Sequence, residues 1–428
     1  SELEAATIFS RSKREEIKLP QMGLQRVDAA LVKKMPTLMG ENDIIRVIQM
    51  MPGVQTPSEG STGFSVRGGG IDQNLILIDG APVYNCGHFL GFLSMFNGDA
   101  IRGADLYKGD FPASYGGRIS SVLDISTKDG NNRSFDGNAS FGLITSKLFL
   151  EGPIVPGKLS FMLAGRRTYM DLLLPVIGAK LPDKTQMYFY DLNGKLSWVA
   201  GEKDRVYLSA FSGKDVFGFS MQEFNLAEMV FGFANHTQSL RWNHQFSPKF
   251  TSDVILYNSL YRNDIGTEMD SADFDTRQEI RETGLKAGWT WYIDGNNTLK
   301  AGLQAAWFGV VPGNTKPRND ESMVKEVIIP ENYAFQPSAY VQNEQKIGRL
   351  TFRYGLRYAS FTSLGPTEQK YFDPETHELT QTLQVEKRKG IRKYYGLEPR
   401  LSASLPITED FSVKGAYVRS FQYIQQSR

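Results

Sequence analysis

Beyond Asn132 the chain alternates apolar and polar residues with a period of two, over stretches of roughly ten residues or more broken by short turns. Leu299, Ala301, Leu303, Ala305 and Trp307 alternate with Thr298, Lys300, Gly302, Gln304 and Ala306. Leu350, Phe352, Tyr354, Leu356 and Tyr358 alternate with Thr351, Arg353, Gly355 and Arg357, and Leu192, Gly194, Leu196 and Trp198 with Asn193, Lys195 and Ser197. The pattern predicts strands over 137–152, 158–170, 187–200, 204–217, 232–246, 249–264, 276–294, 297–310, 333–346, 349–362, 394–407 and 411–425. Turn chemistry joins them in pairs, at Val155-Pro156-Gly157, Gly201-Glu202-Lys203, Ser247-Pro248, Asp294-Gly295-Asn296, Lys346-Ile347-Gly348 and Thr408-Glu409-Asp410. Between the pairs lie longer segments, 171–186, 218–230, 311–332 and 363–392. Strands of this length, apolar on one face and charged on the other, can cross a bilayer at a tilt. Short turns alternating with long loops give such a sheet two unlike ends. A soluble β-sandwich also alternates, but it does not need that recurring asymmetry.

The first 130 residues read differently. Residues 1–34 are charged, with Arg11-Ser12-Lys13-Arg14-Glu15-Glu16, lack a sustained period and are expected to be extended. Glu41-Asn42-Asp43 can cap a helix whose Ile44, Ile48 and Met51 share a face, and Pro52-Gly53 ends it. Short strands are expected near 62–68, 74–79, 104–108 and 122–126, with a short helix near 97–102. Alternating short strands and helices describe a small α/β domain, so the organisation expected is an extended segment 1–34, an α/β domain 35–130 and a strand-rich region 131–428.

Composition narrows the class. A net charge of +1 removes the electrostatic case for a nucleic-acid partner. Aromatic content of 12% with 41 glycines suits an antiparallel sheet with many turns. No apolar run is long enough for a membrane-crossing helix. Cys86 is the single cysteine, which excludes an intramolecular disulfide and a cysteine-rich metal site. Ser1-Glu2-Leu3-Glu4 has no leader character, so an exported protein would have lost its leader upstream.

Six elements recur in order between residues 52 and 125: Pro52-Gly53-Val54, Arg67-Gly68-Gly69-Gly70, Asp79-Gly80, Tyr107-Lys108-Gly109, Tyr115-Gly116-Gly117-Arg118 and Val122-Leu123-Asp124-Ile125. This run resembles the plug domain of TonB-dependent outer-membrane receptors, of the type common in Bacteroidetes. It matches the SusC-type glycan importers poorly, because their spacer before the Asp-Gly turn differs. The resemblance implies a mixed fold, a small α/β plug inside a transmembrane antiparallel β-barrel. A folded plug needs a lumen of the size that about 22 strands enclose. The twelve or so strands read here are therefore expected to be the first part of a longer wall.

The same resemblance implies roles. The N-terminus would face the periplasm, and Glu4, Ala5, Ala6, Thr7, Ile8 and Phe9 would contact TonB by strand addition, although this segment departs from the family's usual valine-rich form. Gly68, Gly69, Gly70, Gly80, Gly116 and Gly117 would supply positive φ or close backbone approach. Arg67 and Arg118 would be buried against carboxylates of the barrel wall. Aromatics with Asn and His in the plug loop, namely Tyr84, Asn85, His88, Phe89 and Phe92, could line a ligand pocket; packing of Phe89, Leu90 and Phe92 into the plug core is the competing reading. The segment 218–230, with Phe219, Met221, Phe224 and Met229, is a second candidate surface.

Catalysis finds little support. His88, His236, His244 and His377 share no metal-ligand spacing, and no Gly-x-Ser-x-Gly elbow occurs. No cofactor and no metal is implied. The expected function is energised import of a scarce nutrient across the bacterial outer membrane, with TonB and its inner-membrane energising proteins as partners and outer-membrane lipids around the wall. The ligand would be a small molecule, a chelate, a peptide or an oligosaccharide. The alternative is a plugged barrel that docks a surface lipoprotein or a secretion complex.

Overall fold

The computed structural model describes residues 20–34, 41–56, 62–88, 91–176, 186–221, 226–268, 272–372 and 379–424. The TonB-contact candidates Glu4 to Phe9, and also Phe89 and Phe224, lie outside them.

The plug is built on a five-stranded sheet in the order Leu24–Asp28, Ile101–Lys108, Ser121–Thr127, Asn74–Ile78 and Ala81–Pro82. Asn74–Ile78 runs parallel to Ser121–Thr127, and the other pairs are antiparallel. The strand Asn74–Ile78 is apolar at consecutive positions because both faces are covered. Ile76 and Ile78 join Leu123 and Ile125 in one core, with Ile44, Ile45 and Ile48 of the helix Ile44–Gln49. Leu75 and Leu77 join Val122, Tyr107 and Phe111 on the opposite face. Asp43 caps the helix, accepting from the Ile45 amide at 2.8 Å, while its second oxygen accepts from the Ser94 amide at 2.8 Å.

Residues 20–34 do not trail outside the plug: Leu24–Asp28 pairs along Ile101–Lys108, with Val27 fully buried, and Ala29–Lys34 is a helix. Five residues carrying Arg26 and Asp28 on an edge give too short a period to be seen in the sequence. Nor is there a helix near 97–102. The Asn97 side chain accepts from the Asp99 amide at 3.0 Å and turns the chain, and the strand has begun by Ile101.

The wall is an antiparallel sheet with thirteen strands among the described residues, each paired with the next from Asp136–Phe141 to Ser412–Val418. The expected strand 137–152 is two strands, because the Gly142 amide bonds the Thr145 carbonyl at 2.8 Å and folds the chain back. The expected loop 218–230 is largely strand, since Asp204–Met221 and Leu226–Ser247 remain paired as far as Met221 and Leu226. The strand Asn297–Pro317 likewise runs into the expected loop 311–332, and 363–392 contains a hairpin of Thr367–Phe372 with Leu379–Val385.

The two faces of the wall have opposite chemistry. Inward positions such as Asp191, Asn193, Lys195, Arg353 and Arg357 are buried, whereas Leu192, Leu196, Trp198, Leu256, Leu303, Trp307 and Leu356 face outward and are exposed. Register carries this across the sheet. One outward row pairs Leu196, Leu208, Leu240, Leu256 and Leu285 in succession. The next row toward the short turns pairs Trp198, Val206, Trp242 and Val254. An apolar outer band with aromatics near the short-turn end is the surface a bilayer requires. No described helix is long and apolar enough to cross a membrane.

Candidate functional site

The plug meets the wall along a seam of buried charge. Glu41, from the segment before the plug helix, accepts from Thr145 Oγ1 at 2.7 Å and pairs with Lys147 at 3.0 Å and Arg166 at 3.4 Å, both on the wall. Arg166 also pairs with Asp191 at 2.7 Å and donates to the Ser94 carbonyl of the plug at 2.7 Å. Asp79 pairs with Lys195 at 3.2 Å, and Asp110 with Arg353. Lys286 donates to the Gly80 carbonyl at 2.8 Å, and Arg400 to the Phe111 carbonyl at 3.3 Å. With few exceptions the plug supplies carboxylates and carbonyls, and the wall supplies cations.

His88 is the principal exception. Its Nδ1 lies 2.7 Å from Asp215 and its Nε2 3.3 Å from Asp191, both on the wall, and its ring stacks on Phe189 with centroids 4.1 Å apart. Burial on its own would lower its pKa, but the two carboxylates outweigh that and raise it above the ordinary histidine value. The ring bridges two wall aspartates.

Local backbone makes the approach possible. The Asp79-Gly80 turn holds Asp79 at φ +46° and Gly80 at φ +84°, bringing Asp79 to Lys195 and setting the Gly80 α-carbon close beside the Ile255 side chain. A β-carbon on Gly116 would collide with the guanidinium of Arg357. That guanidinium lies over the plug loop, donating to the Ala113 carbonyl at 3.2 Å, to Ser338 at 2.6 Å and to Gln304 at 2.9 Å. Gln304 in turn donates to the Ser114 carbonyl at 2.7 Å. Tyr115 donates to Asp124 at 2.7 Å inside the plug.

The other residues singled out in the sequence are placed as follows. Gly68 and Gly117 adopt positive φ, while Gly69 and Gly70 are crowded by Ser120 and Asp72. Arg67 and Arg118 are not buried against wall carboxylates. Arg67 sits at φ +51° in a turn that lays it along the plug surface beside Gly23 and Gly109, and it is exposed. Arg118 is half-buried and donates to the Gly117 carbonyl at 2.9 Å. Neither forms an ion pair among the described residues. Tyr84 and Asn85 line a cavity of about 320 Å³, together with Asp72, Asn74, Thr62 and Arg118. Tyr84 donates to Glu282 of the wall, and the Asn85 carbonyl accepts from Asn235 at 3.1 Å. His88 is outside that lining, and Phe92 is half exposed, in neither the cavity nor the plug core. Arg166, Asp191, Asp215, Lys195 and Arg353 were missed in the sequence, where charged residues on an inward face read as the solvated lining of a lumen.

A small α/β domain held by inward charge against a strand wall with a lipid-facing exterior defines a plugged β-barrel. Residues 25–122 match the family described as TonB-dependent Receptor Plug Domain, and residues 180–426 match TonB dependent receptor-like, beta-barrel. The chain belongs to the TonB-dependent receptor family, whose members are β-barrels of the outer membrane. Among curated proteins it is similar to a probable TonB-dependent siderophore receptor, PirA of Acinetobacter baumannii, at 24% identity over 49% of this chain and 31% of that protein. Solved structures share the fold, two of them as follows. A variant of the ferric enterobactin receptor PfeA of Pseudomonas aeruginosa gives a TM-score of 0.65 at 16% identity, over 96% of this chain and 63% of that one. The FrpB iron transporter of Neisseria meningitidis gives 0.64 at 14% identity, over 93% of this chain and 65% of that one. The chain thus spans about a third of the curated relative's length and less than two thirds of either structure's.

Proposed function

We propose that this chain forms the plug and much of the wall of an active importer in the outer membrane, gated by displacement of the plug. The buried seam carries the reading. A wall that served only as a scaffold could close on its plug with apolar packing, which is often at least as stable as buried ion pairs. A seam of short charged contacts between two bodies is instead firm when seated and loses its strength over a small displacement, as a mechanically opened gate requires. On this reading TonB engages Glu4 to Phe9 from the periplasm, and the ligand settles against Tyr84, Asn85, Asp72 and Arg118. The name of the curated relative makes a ferric chelate the first substrate class to test, ahead of a cobalamin-like cofactor, a peptide or an oligosaccharide.

The test is uptake in the parent organism, comparing wild type with strains lacking this gene or lacking TonB. Depletion of iron chelates and other nutrients from the medium is followed by metabolite profiling. Import predicts one compound left undepleted in both mutants. If no compound distinguishes either mutant from wild type, the import reading fails.

A further inference from the structure

The outward face of the wall carries a groove that neither plug nor transport explains. Its volume is about 720 Å³. Gly165, Gly194 and Ala210 form a floor of small residues, and the exposed Leu163 and Leu192 stand beside it. Its other margin is polar. Ser212 and His236 pair across adjacent strands with Oγ to Nδ1 at 2.9 Å, and Gln238 lies opposite Asn258, which donates to Thr283 at 2.8 Å.

These polar groups stand within the apolar band. Along the strand Leu226–Ser247, Gln238 lies midway between Trp242, among the aromatics near the short-turn end, and Ala234, whose cross-strand partner is the charged Arg262. Polar side chains at that depth are costly unless something answers them. Two of the pairs answer each other, whereas the exposed Gln238 amide has no hydrogen-bond partner among the described residues.

The next outward row toward the long-loop end is basic, with Arg167, Lys214 and Arg262 on the register Arg167–Tyr190–Lys214–Ala234–Arg262. Arg262 shares Glu279 with Arg281, which also approaches Glu331 at 3.8 Å. Arg167 and Lys214 form no ion pair among the described residues. The strand Asp204–Met221 shows the order by itself, with Ala210, Ser212 and Lys214 at successive outward positions, and on Leu159–Thr168 the cation Arg167 follows the apolar Leu163 and Gly165 directly. Each outward step is roughly 6.8 Å along the strand. A small apolar floor with the Gln238 and Asn258 amides beside it on the Ala210 row, then the Ser212 hydroxyl and His236 imidazole one row on, then cations, follows the order met along a membrane lipid, from acyl chain through its ester, amide or hydroxyl linkage to its phosphate.

We propose that this groove is a binding site for an anionic, phosphate-bearing lipid of the leaflet on the long-loop side. An acyl chain lies on Gly165, Gly194 and Ala210, its linkage region against Ser212, His236 and Gln238, and its phosphate between Arg167 and Lys214. The charge complementarity favours this occupant over a second copy of the chain, which would bring the same cations to the contact.

Native mass spectrometry of the full-length protein, stripped of lipid in detergent, tests the site with dipalmitoyl phosphatidylglycerol and with phosphatidylcholine carrying the same chains. The expected result is selective retention of phosphatidylglycerol. That selectivity should fall by roughly tenfold or more when both cations are removed in Arg167→Gln/Lys214→Gln. Filling the floor with Ala210→Leu should weaken both lipids while the cations remain. All three substitutions lie on outward positions, exposed at Arg167 and Ala210 and half-buried at Lys214, and heat-modifiable migration on gels verifies that each variant is folded. Equal retention of the two lipids by the wild type, or selectivity unchanged by removal of the cations, overturns the proposal. A dimer that the substitutions dissociate, without bound lipid, would overturn it by assigning the groove to a second copy.

Discussion

At the scale of single residues, the seam rests on groups that burial makes expensive to leave unpaired. Removing one partner of a buried, hydrogen-bonded ion pair costs about 3–5 kcal/mol. Arg166 is 4% exposed and joins Glu41, Asp191 and the Ser94 carbonyl. Arg166→Ala should therefore loosen the plug by an amount of that order, read as a lower urea midpoint for exposure of Cys86 to a thiol reagent. His88 makes the same seam sensitive to pH. Its folded pKa is raised by Asp215 and Asp191 above the ordinary value near 6.5. The stabilisation is therefore full below the unfolded pKa and is lost as pH rises through the folded one. The urea midpoint should fall between mildly acidic and alkaline pH, and His88→Gln should flatten that dependence; an unchanged slope in the variant would remove His88 from the account. None of these partners was legible in the sequence. His88 lies 127 residues from Asp215 and 103 from Asp191, and no local pattern encodes contacts at such separations. The glycines were better signalled, because a tight turn or a close approach leaves its mark at the position itself. Gly116 shows the consequence. Gly116→Val would push Arg357 off the Ala113 carbonyl and should lower the same midpoint, whereas the open position Gly157, whose positive φ tolerates Asn, should accept Gly157→Asn with little effect.

At the scale of elements, Leu24–Asp28 is an edge strand of the plug sheet and the first described strand after the N-terminal segment. A pull from the N-terminus acts on it before any other part of the sheet. Arg26 and Asp105 are cross-strand partners, so a disulfide in Arg26→Cys/Asp105→Cys should fasten the strand to its neighbour. If import begins by peeling this edge, uptake should stop under oxidising conditions and recover on reduction. Uptake unaffected by the closed disulfide would mean the edge stays in place. The sequence under-read elements of this kind. Wall strands were visible wherever one face meets lipid and the other the lumen, as in Leu350–Leu364. Their extensions toward the long-loop end, such as Asn297–Pro317, leave that two-sided environment and lose the alternation. The plug strand Asn74–Ile78 was visible for a different reason, since Leu75 to Ile78 are apolar toward two cores.

At the scale of the whole molecule, the charges divide between two bodies that fit one inside the other. The wall turns leucines and tryptophans outward and cations inward, and the plug meets those cations with Glu41, Asp79, Asp110 and its loop carbonyls. On the proposed reading such an interface would have a seated state and a withdrawn state in which water replaces each partner. Cys86, which lines the cavity beside Tyr84 and Asn85, would report on an opening of the plug there. It is buried beside the Thr62 carbonyl at 3.6 Å, and burial pushes its thiol up to about 12, so it is protected while the plug is seated. The most direct measurement is the rate of maleimide labelling of Cys86 in cells carrying the full-length receptor, with and without substrate and with and without TonB. The account predicts slow labelling at rest and a marked rise only when substrate and TonB are both present. Equal labelling in all four conditions would contradict a plug that is displaced to open the way.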